Sequence, residues 1–479
     1  MVDANQKPHA IFVAYPLQGH LIPSIHLAIK LASRGFTITF INTHSIHHQT
    51  IKAQPIGDQD IFAAVRRSGL DIRYTTVSDG LPVEFDRSLN HDQFMAALLH
   101  VFSAHAEEAV AKILRSEPPQ SVSCLIADTF FVWPSKIAKK FGLKYISFWT
   151  EPALVFTLYY HVDLLRKNGH FGCNDAREDT IDYIPGVRPI DPTDMTSYLQ
   201  ESDTSTVCHQ IIFTAFKDVK GADFVLCNTV QELEPETISA LQAEMPFYAV
   251  GPIFPTGFTK SSVATSLWSE TDCTSWLDTK PHGSVLYVSF GSYAHVTKND
   301  LVEIAHGLSL SKVSFVWVLR PDIVSSDDAD PLPVGFKEEI HDRAMIIPWC
   351  CQIKVLAHQA IGGFLTHCGW NSILESIWCE IPLLCFPLLT DQFTNRRLVV
   401  DDWMVGINLS DKKRITREEV SKNINRLMSG KSGDEFKKKT KEVKKKLENA
   451  TTGGGSSEEN MDKFIEDLKV SIQEKCGPI

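Results

Sequence analysis

The sequence predicts an α/β protein in which parallel strands alternate with helices, and three observations carry this prediction. A short, continuous apolar run at residues 10–14 has the pattern of a strand covered on both faces. Apolar residues at helical spacing follow it, and a second strand-like run occupies residues 37–42. The same alternation stops near residue 251 and begins again at residue 284. We therefore expect two similar α/β halves.

The remaining elements of the first half follow from the same patterns. After the opening strand, helix and strand, we expect a helix, a strand, a helix and two strands at residues 94–114, 124–128, 135–140, 145–148 and 224–228. A polar stretch rich in Ser, Thr and Gly then runs to residue 269 and interrupts the pattern. We place the first domain at residues 1–250 and a linker at residues 251–275.

The second half repeats the alternation of strands and helices. Strands are expected at residues 284–290, 315–319, 344–347, 363–366 and 382–386, and helices at residues 299–308, 354–359 and 372–378. A lysine-rich run at 437–446 alternates with Glu and apolar residues, which favours a solvated helix face over an anion-binding patch. We place the second domain at residues 276–455 and a last amphipathic helix within residues 456–479.

Composition and charge exclude several classes of protein. The 479 residues are 43% hydrophobic and 22% charged, as in ordinary globular proteins, and the net charge of −11 argues against a nucleic-acid partner. The sequence has neither a signal-peptide pattern at its start nor an apolar run long enough for an integral membrane segment, so we expect a cytoplasmic monomer. The 11 cysteines form no CxxC pairs, which indicates reduced thiols and no metal site.

The most informative stretch runs from Trp349 to Gln392. The strand at 363–366 leads into a glycine-containing turn, and Asn371 and Ser372 then open a helix whose free N–H groups favour a phosphate. Each polar residue here, taken alone, is better explained as a helix cap, a turn residue or core. Together they lie at strand ends and helix starts, where α/β sheets bind ligands. The motifs of dinucleotide-binding, P-loop, α/β-hydrolase and zincin proteins are absent.

These 44 residues resemble the signature of plant family-1 UDP-dependent glycosyltransferases. The resemblance extends over nearly the whole chain and includes Gly19-His20, Ala127-Asp128 and Phe290-Gly291-Ser292. It implies the glycosyltransferase-B fold, in which two Rossmann-like domains face each other across a cleft, and a final helix that returns to the N-terminal domain. Cys350-Cys351, Glu151 and Glu380 depart from the usual pattern; Glu380 stands where the family has Gly, so a positive φ there would strain it.

The resemblance also implies a set of residues that bind the UDP-sugar. Uracil would be held by the side chain of Trp349 and the backbone of Cys350. The ribose would be held by the side chains of Gln352 and Glu375. The diphosphate ligands would be Ser292, His367, Asn371 and Ser372. The sugar would be bound by Trp370, Asp391 and Gln392, with Thr150 touching the sugar or a phosphate. Gln392 is the residue that accompanies a preference for glucose in this family.

His20 is the expected catalytic base and Asp128 the residue that orients it. His20 follows the first strand, and an imidazole can remove a hydroxyl proton near neutral pH. Asp128 ends another strand of the same sheet and can accept the other ring N–H. Without the resemblance, His20 would be interpreted as an ordinary histidine at the start of a helix. The leaving group would be held by the helix at Asn371, so we expect no metal and no cofactor, with UDP-glucose as co-substrate.

We expect an apolar acceptor pocket after the strand ends of the first domain. Its candidate residues are Gly19, Phe85, Phe94, Phe130, Phe131, Trp149 and Phe156. Such a pocket would suit a flavonoid, another phenolic or a terpenoid better than a polar sugar. Each aromatic residue, taken alone, is better explained as a core residue than as a pocket residue.

The sequence therefore predicts an inverting transferase that moves glucose from UDP-glucose to a hydroxyl of a small hydrophobic acceptor and releases a β-glucoside and UDP. Three alternatives remain open. They are the same reaction with another UDP-sugar, a UDP-sugar-binding protein without turnover, and an epimerase or hydrolase on the same fold.

Overall fold

The structure is a computed structural model that describes residues 7–53, 60–118, 121–173, 177, 179–255, 257–260, 266–324, 331–412 and 414–475. Contacts divide the chain into two compact units. Unit 1 comprises the chain up to Pro192, Tyr198–Trp268 and the chain from Asn449 onward. Unit 2 comprises Thr193–Ser197 and Ser269–Glu448.

This division differs in detail from the boundaries drawn from the sequence. The predicted linker began at residue 251, whereas unit 1 continues to Trp268, and unit 2 ends at Glu448 before the predicted limit at residue 455. Unit 2 also takes in Thr193–Ser197, which has no compositional signature because it joins unit 2 through tertiary contacts. Residues 1–6, 54–59, 119–120, 174–176, 178, 256, 261–265, 325–330, 413 and 476–479 of the predicted domains and linker lie outside the described residues.

Unit 1 contains a seven-stranded parallel sheet. Its strands are β1 (His9–Val13), β2 (Thr37–Thr43), β3 (Ile72–Val77), β4 (Val122–Asp128), β5 (Lys144–Trp149), β6 (Phe224–Cys227) and β7 (Phe247–Ala249). They lie in the order β3-β2-β1-β4-β5-β6-β7. Val13 is opposite Ala127, and Asp128 is opposite Phe148. The carboxyl ends of β1, β4 and β5 therefore meet at one edge.

Unit 2 contains a six-stranded parallel sheet. Its strands are β8 (Val285–Ser289), β9 (Ser314–Val318), β10 (Ala344–Ile347), β11 (Ile361–Thr366), β12 (Leu383–Cys385) and β13 (Gly406–Asn408), in the order β10-β9-β8-β11-β12-β13. Ser289 is opposite both Val318 and Thr366, and Thr366 is opposite Cys385. Four strands thus end together here. The two parallel-sheet, Rossmann-like units confirm the predicted α/β class.

Helices connect the strands of both units. In chain order they are α1 (Gln18–Ser33), α2 (His44–Ala53), α3 (Ala63–Arg67), α4 (His91–His100), α5 (Phe102–Ser116), α6 (Pro134–Phe141), α7 (Ala153–Tyr160), α8 (Val162–Asn168), α9 (Ser197–Gln200), α10 (Val207–Asp218), α11 (Pro235–Glu244), α12 (Thr274–Leu277), α13 (Lys298–Ser311), α14 (Phe336–Ile340), α15 (Gln352–Leu356), α16 (Trp370–Trp378), α17 (Gln392–Arg397), α18 (Arg417–Met428), α19 (Gly430–Thr451) and α20 (Ser456–Lys475). Within the described ranges, no helix combines the length and apolar character needed to cross a membrane.

The last helix, α20, contributes to the core of unit 1. Met461 and Phe464 are fully buried in it, and the Phe464 ring lies 5.7 Å from that of Phe224 and 5.8 Å from that of Tyr248. Asn460 Nδ2 donates a hydrogen bond to the carbonyl oxygen of Ala249 at 2.9 Å. Apolar burial and a hydrogen bond from the Asn460 side chain to the backbone therefore tie α20 to the β6–β7 side of the sheet.

Some elements differ from the sequence prediction. The single helix expected at residues 94–114 is two helices, α4 and α5, separated at Val101. The alternating pattern does not reveal this break, because both helices bury apolar residues at compatible spacing. Strands β3, β7 and β13 were not predicted; β7 and β13 are only three residues long and are too short for a periodic signal.

Glu380, two residues after α16, has a φ of +62°. Its side chain forms an ion pair with Lys444, whose Nζ lies 2.9 Å from Oε1. A left-handed backbone costs a residue with a Cβ about 1–2 kcal/mol, and a partly exposed ion pair contributes at most about 1 kcal/mol. The strain expected from the sequence at this position is therefore present, and the ion pair offsets only part of it.

We expect Glu380→Gly to unfold at a higher urea concentration than Glu380→Ala. Both variants lose the ion pair with Lys444, and only glycine adopts the positive φ without a Cβ clash. The difference in the free energy of unfolding should be about 1 kcal/mol. Equilibrium urea unfolding measures it, and coincident transitions for the two variants would contradict the prediction.

Candidate functional site

His20 and Asp128 form a hydrogen-bonded pair at the carboxyl edge of the unit 1 sheet. His20 is the third residue of α1, and Asp128 ends β4. His20 Nδ1 lies 2.8 Å from Asp128 Oδ2, and the Asp128 side chain is only 1% exposed. Its other oxygen accepts the Phe130 N–H at 2.9 Å, which fixes the carboxylate plane. An ionised carboxylate only accepts, so Nδ1 carries the proton and Nε2 keeps a free lone pair.

Thr150 joins this pair. Its Oγ1 lies 3.0 Å from His20 Nδ1, where it serves as a second acceptor of the same N–H. The residue follows β5, whose end is next to that of β4. The family resemblance implied that Thr150 touches the donor sugar or a phosphate. In the structure its hydroxyl contacts His20, because the register of β5 against β4 places Thr150 next to the end of β4.

The wall around His20 is aromatic. The His20 ring lies 5.3 Å from that of Tyr15 and 5.4 Å from that of Phe130. Phe130 is half-buried, while Gly19 is exposed. Phe85 is half-buried beneath the guanidinium of Arg87. Tyr15 was missed by the sequence reasoning, although its place just after β1 is the same signal that identified His20.

Four residues predicted for the acceptor pocket belong to the core instead. Their exposed fractions are 0% for Phe94, 2% for Phe131, 1% for Trp149 and 0% for Phe156. Trp149 and Phe156 pack edge to face, with ring centroids 5.6 Å apart. Aromatic residues next to strand ends are buried between the sheet and its covering helices, so their position alone did not indicate a ligand surface.

The predicted uracil and ribose residues lie after β10 in unit 2. Trp349 is 9% exposed, and its carbonyl oxygen accepts the Thr271 N–H at 2.9 Å. Cys350 is buried, with its Sγ 3.6 Å from the hydroxyl oxygen of Tyr287. That hydroxyl donates to Gln352 Oε1 at 3.3 Å. Tyr287, in β8 of the same sheet, therefore links the Cys350 and Gln352 positions.

Glu375 is a buried carboxyl held by Gln352. Gln352 Nε2 donates to Glu375 Oε2 at 2.8 Å and to Ser372 Oγ at 3.1 Å. Burial raises the pKa of Glu375 to about 7, and the hydrogen bond from Gln352 opposes this shift. A carboxyl with this pKa is half-ionised near neutral pH, and ligand hydroxyls that donate to it would favour its charged form.

The start of α16 presents the predicted diphosphate residues. Gly369 caps the helix, so Asn371 and Ser372 are its second and third residues, in the turn whose N–H groups have no helical partner. Ser292 follows Gly291 in the loop after β8, and Gly291 has a φ of +74°. A helix N-terminus and a tight glycine loop both direct backbone N–H groups toward an anion.

His367 lies between two glycines in this loop region. A Cβ on Gly291 would lie 2.6 Å from His367 Nε2, and a Cβ on Gly369 would lie 2.5 Å from the same atom. Both positions therefore need the absence of a side chain. Burial, and then the nearby charge of Arg320, lowers the pKa of His367 to about 4. His367 is thus a neutral imidazole at physiological pH, and it can contact phosphate only through a neutral N–H.

Arg320 is a buried cation that the sequence reasoning missed. It is 2% exposed, and its guanidinium donates to the carbonyl oxygens of Gly291 and, at 2.9 Å, of Ala294. Its Nε donates to Asp322 at 2.9 Å. The arginine follows β9 at the shared strand edge, a location that would have identified it. It fixes the 291–294 loop and places a positive charge behind the predicted diphosphate site.

Asp391 and Gln392 lie at the start of α17. Gln392 Oε1 accepts the backbone N–H groups of Leu388 at 2.8 Å and Leu389 at 3.1 Å, so its amide NH₂ is the end left for a ligand. Asp391 Oδ2 accepts Asn395 Nδ2 at 2.5 Å. The third predicted sugar residue, Trp370, is buried, with its ring 6.0 Å from that of Trp403. One amide donor and one carboxylate acceptor stand side by side.

The chain matches known proteins over almost its full length. The family described as "UDP-glucoronosyl and UDP-glucosyl transferase" matches residues 267–444. UDP-glycosyltransferase 86A2 of Arabidopsis thaliana is 64% identical over 96% of this chain and 94% of its own length. The 7-deoxyloganetin glucosyltransferase of Gardenia jasminoides is 36% identical over 98% of this chain and 99% of its own length. Medicago truncatula UGT71G1, solved with UDP-glucose, is similar with a TM-score of 0.80 and 26% identity over 98% of this chain and 100% of its own.

We expect binding of UDP-glucose to weaken as the pH falls below 7. The raised pKa of Glu375, about 7, means that lower pH neutralises the carboxylate that would accept ribose hydroxyls. From pH 8 to pH 6 the dissociation constant should rise about tenfold. His367, with a pKa of about 4, stays neutral across this range. Calorimetric titration measures the effect, and the same slope in Glu375→Gln would contradict the assignment.

We expect Gly369→Ala to weaken UDP binding about tenfold while uridine binding stays within twofold. The added Cβ would lie 2.5 Å from His367 Nε2 and displace the ring, whereas alanine accommodates the backbone angles of Gly369 (φ −63°, ψ 139°). Gly453→Ala is the matched control, since nothing lies within 4 Å of its Cβ position. Equal losses for UDP and uridine would show that His367 does not act at the diphosphate.

Proposed function

Because the chain belongs to the plant family-1 UDP-glycosyltransferases, and is therefore an enzyme that transfers a sugar from a UDP-sugar, we propose that it moves glucose from UDP-glucose to a hydroxyl of a small hydrophobic acceptor with inversion to a β-glucoside. Its α/β fold is the glycosyltransferase-B fold of these enzymes. The donor sugar, the acceptor class and the stereochemistry are the parts that we propose.

The single observation that carries the proposed chemistry is the His20–Asp128 hydrogen bond of 2.8 Å. It fixes the tautomer in which Nε2 is free to take a proton, and it stabilises the imidazolium that forms afterwards. With 13% of its side chain exposed, His20 remains accessible to an acceptor hydroxyl. A binding protein without turnover would gain nothing from a base oriented in this way.

Direct displacement follows from this base. His20 Nε2 takes the proton of the acceptor hydroxyl as its oxygen bonds to the anomeric carbon. The bond from that carbon to the β-phosphate oxygen breaks, and its electron pair leaves with UDP. Attack from the side opposite UDP converts the α-linked donor into a β-glucoside.

The residues at the start of α16 support the departure of UDP. The backbone N–H groups of its first turn and the neutral ring of His367 are donors for the charge that develops on the β-phosphate. Because these donors can stabilise that charge, we propose that the reaction uses neither a metal nor a cofactor. We expect activity to persist in excess chelator.

Glucose is supported by the amide of Gln392 and by two similar proteins. The NH₂ end of Gln392 can donate to one sugar hydroxyl while Asp391 accepts from its neighbour. The relative at 36% identity is named a glucosyltransferase, and the Medicago protein binds UDP-glucose. The acceptor class is supported by the rings of Tyr15 and Phe130, which flank His20 and suit an apolar alcohol or phenol.

Incubation with UDP-glucose and a panel of flavonoids, other phenols and terpenoid alcohols tests the proposal. The expected result is a mass gain of one hexose on at least one acceptor, with a β-linkage by proton coupling. UDP binding without any glycoside would favour a binding protein. Release of free sugar or of an epimerised donor without acceptor would favour a hydrolase or an epimerase.

We expect His20→Ala to lower kcat for glucosyl transfer by about 10²–10⁴-fold. The dissociation constant of UDP-glucose should change less than twofold, since all the predicted donor residues except Thr150 belong to unit 2. Asp128→Asn should retain more activity than His20→Ala, because an amide can still contact Nδ1. His341→Ala, at an exposed histidine, is the control. A large loss of UDP-glucose affinity in His20→Ala would place that residue in the donor site instead.

A further inference from the structure

A short segment of the first half of the chain is built into unit 2. We call Thr193–Ser197 the strap. Asp194, Met195 and Thr196 are buried, with exposed fractions of 4%, 0% and 0%. A short connecting segment that is buried to this extent is fixed by its contacts.

An ion-pair cluster anchors one end of the strap to α17. The Asp194 carboxylate pairs with Arg396 and, at 3.2 Å, with Arg397. The backbone oxygen of Asp194 accepts the hydroxyl of Thr394 at 2.7 Å. All three partners are on α17, the helix that begins with Gln392. The strap is therefore bonded to the same helix that carries the residues predicted to bind the sugar at its start.

Ser197 anchors the other end to Thr390. The Ser197 N–H donates to the Thr390 carbonyl oxygen at 3.1 Å, and the Thr390 N–H donates to Ser197 Oγ at 3.0 Å. Thr390 has a φ of +52°, which is unusual for a β-branched residue and needs support from its surroundings. These two hydrogen bonds with Ser197 therefore fix the backbone N–H and the backbone carbonyl of Thr390.

The conformation of Thr390 in turn orients Asp391. Thr390 Oγ1 donates to Asp391 Oδ1 at 2.8 Å, and Asn395 fixes the other carboxylate oxygen. Gln392 is set by the N–H groups of Leu388 and Leu389, just before Thr390. A rotation at Thr390 would therefore move both side chains that we propose to bind the sugar.

We propose that the strap is a specificity element of the donor site, in which Ser197 is a positioning residue that acts through Thr390 on Asp391 and Gln392. The chemical class that it discriminates is UDP-hexoses that differ in the orientation of one hydroxyl. If Asp391 and Gln392 are displaced, the site should lose discrimination between the two epimers more than it loses affinity for UDP-sugars in general. This inference rests on the proposed roles of Asp391 and Gln392 in binding the sugar.

Ser197→Ala tests the inference because it removes the acceptor of the Thr390 N–H and little else. The ratio of kcat/KM for UDP-glucose to that for UDP-galactose should fall about three- to tenfold. The dissociation constant of UDP should stay within twofold, because UDP lacks the sugar. Ser197→Thr keeps the hydroxyl and should restore the ratio. Ser116→Ala, at an exposed serine of α5, is the matched control.

Repeating the Ser197→Ala substitution in a Thr390→Gly protein separates the proposed effect from a general loss of stability. Thr390→Gly removes both the steric cost of the positive φ and the hydroxyl that bonds Asp391. Because Ser197 would then lack its link to Asp391, adding Ser197→Ala should change the epimer ratio less than it does in the original chain. Equal effects in both backgrounds would overturn the inference. So would an unchanged ratio in Ser197→Ala, or equal losses of affinity for UDP and UDP-glucose.

The proposed function can fail separately. Asp391→Asn and Gln392→Ala should each lower the same ratio. If neither does, the assignment of the sugar site is wrong whatever Ser197 does. If both lower it and Ser197→Ala does not, the sugar site stands and the strap has no part in its specificity.

Discussion

Parallel strand pairing is the constraint on which the rest of this structure depends. Because all strands of a sheet run in one direction, their carboxyl ends gather at one edge, and the loops that follow must share that edge. In unit 1 this places Asp128 and Thr150 within hydrogen-bond distance of His20, although both lie more than a hundred residues after it in the sequence. In unit 2 it gathers Ser292, Arg320 and His367.

The electrostatics of unit 2 suit an anion without a basic surface. The whole chain carries a net charge of −11, and His367 is neutral because its pKa is lowered to about 4. What remains is local: the N–H groups at the start of α16, the glycine loop at 291, and the buried charge of Arg320 behind that loop. Preorganised dipoles, and an arginine already held by Asp322 and two carbonyl oxygens, do not have to reorient when a phosphate binds.

Much of the fold and the polar site could be predicted from the sequence, and the failures have physical causes. The α/β class followed from continuous apolar runs, and the His20–Asp128 contact from matched motifs at strand ends. Phe94, Phe131, Trp149 and Phe156 were placed in a pocket because sequence does not distinguish an aromatic core from an aromatic wall. The strap and Arg320 could not be predicted, because their contacts are made with residues distant in the sequence.

The hydrogen bonds of Gln392 and Asp391 have a consequence for the direction in which a ligand is bound. Backbone N–H groups occupy the amide oxygen of Gln392, so this side chain offers only protons, whereas Asp391 offers only lone pairs. A pair of adjacent hydroxyls that bridges them must accept at one end and donate at the other. The protein thereby imposes a polarity on the hydrogen-bond chain, and a ligand that cannot supply a proton at the carboxylate end loses the match even when its shape is unchanged.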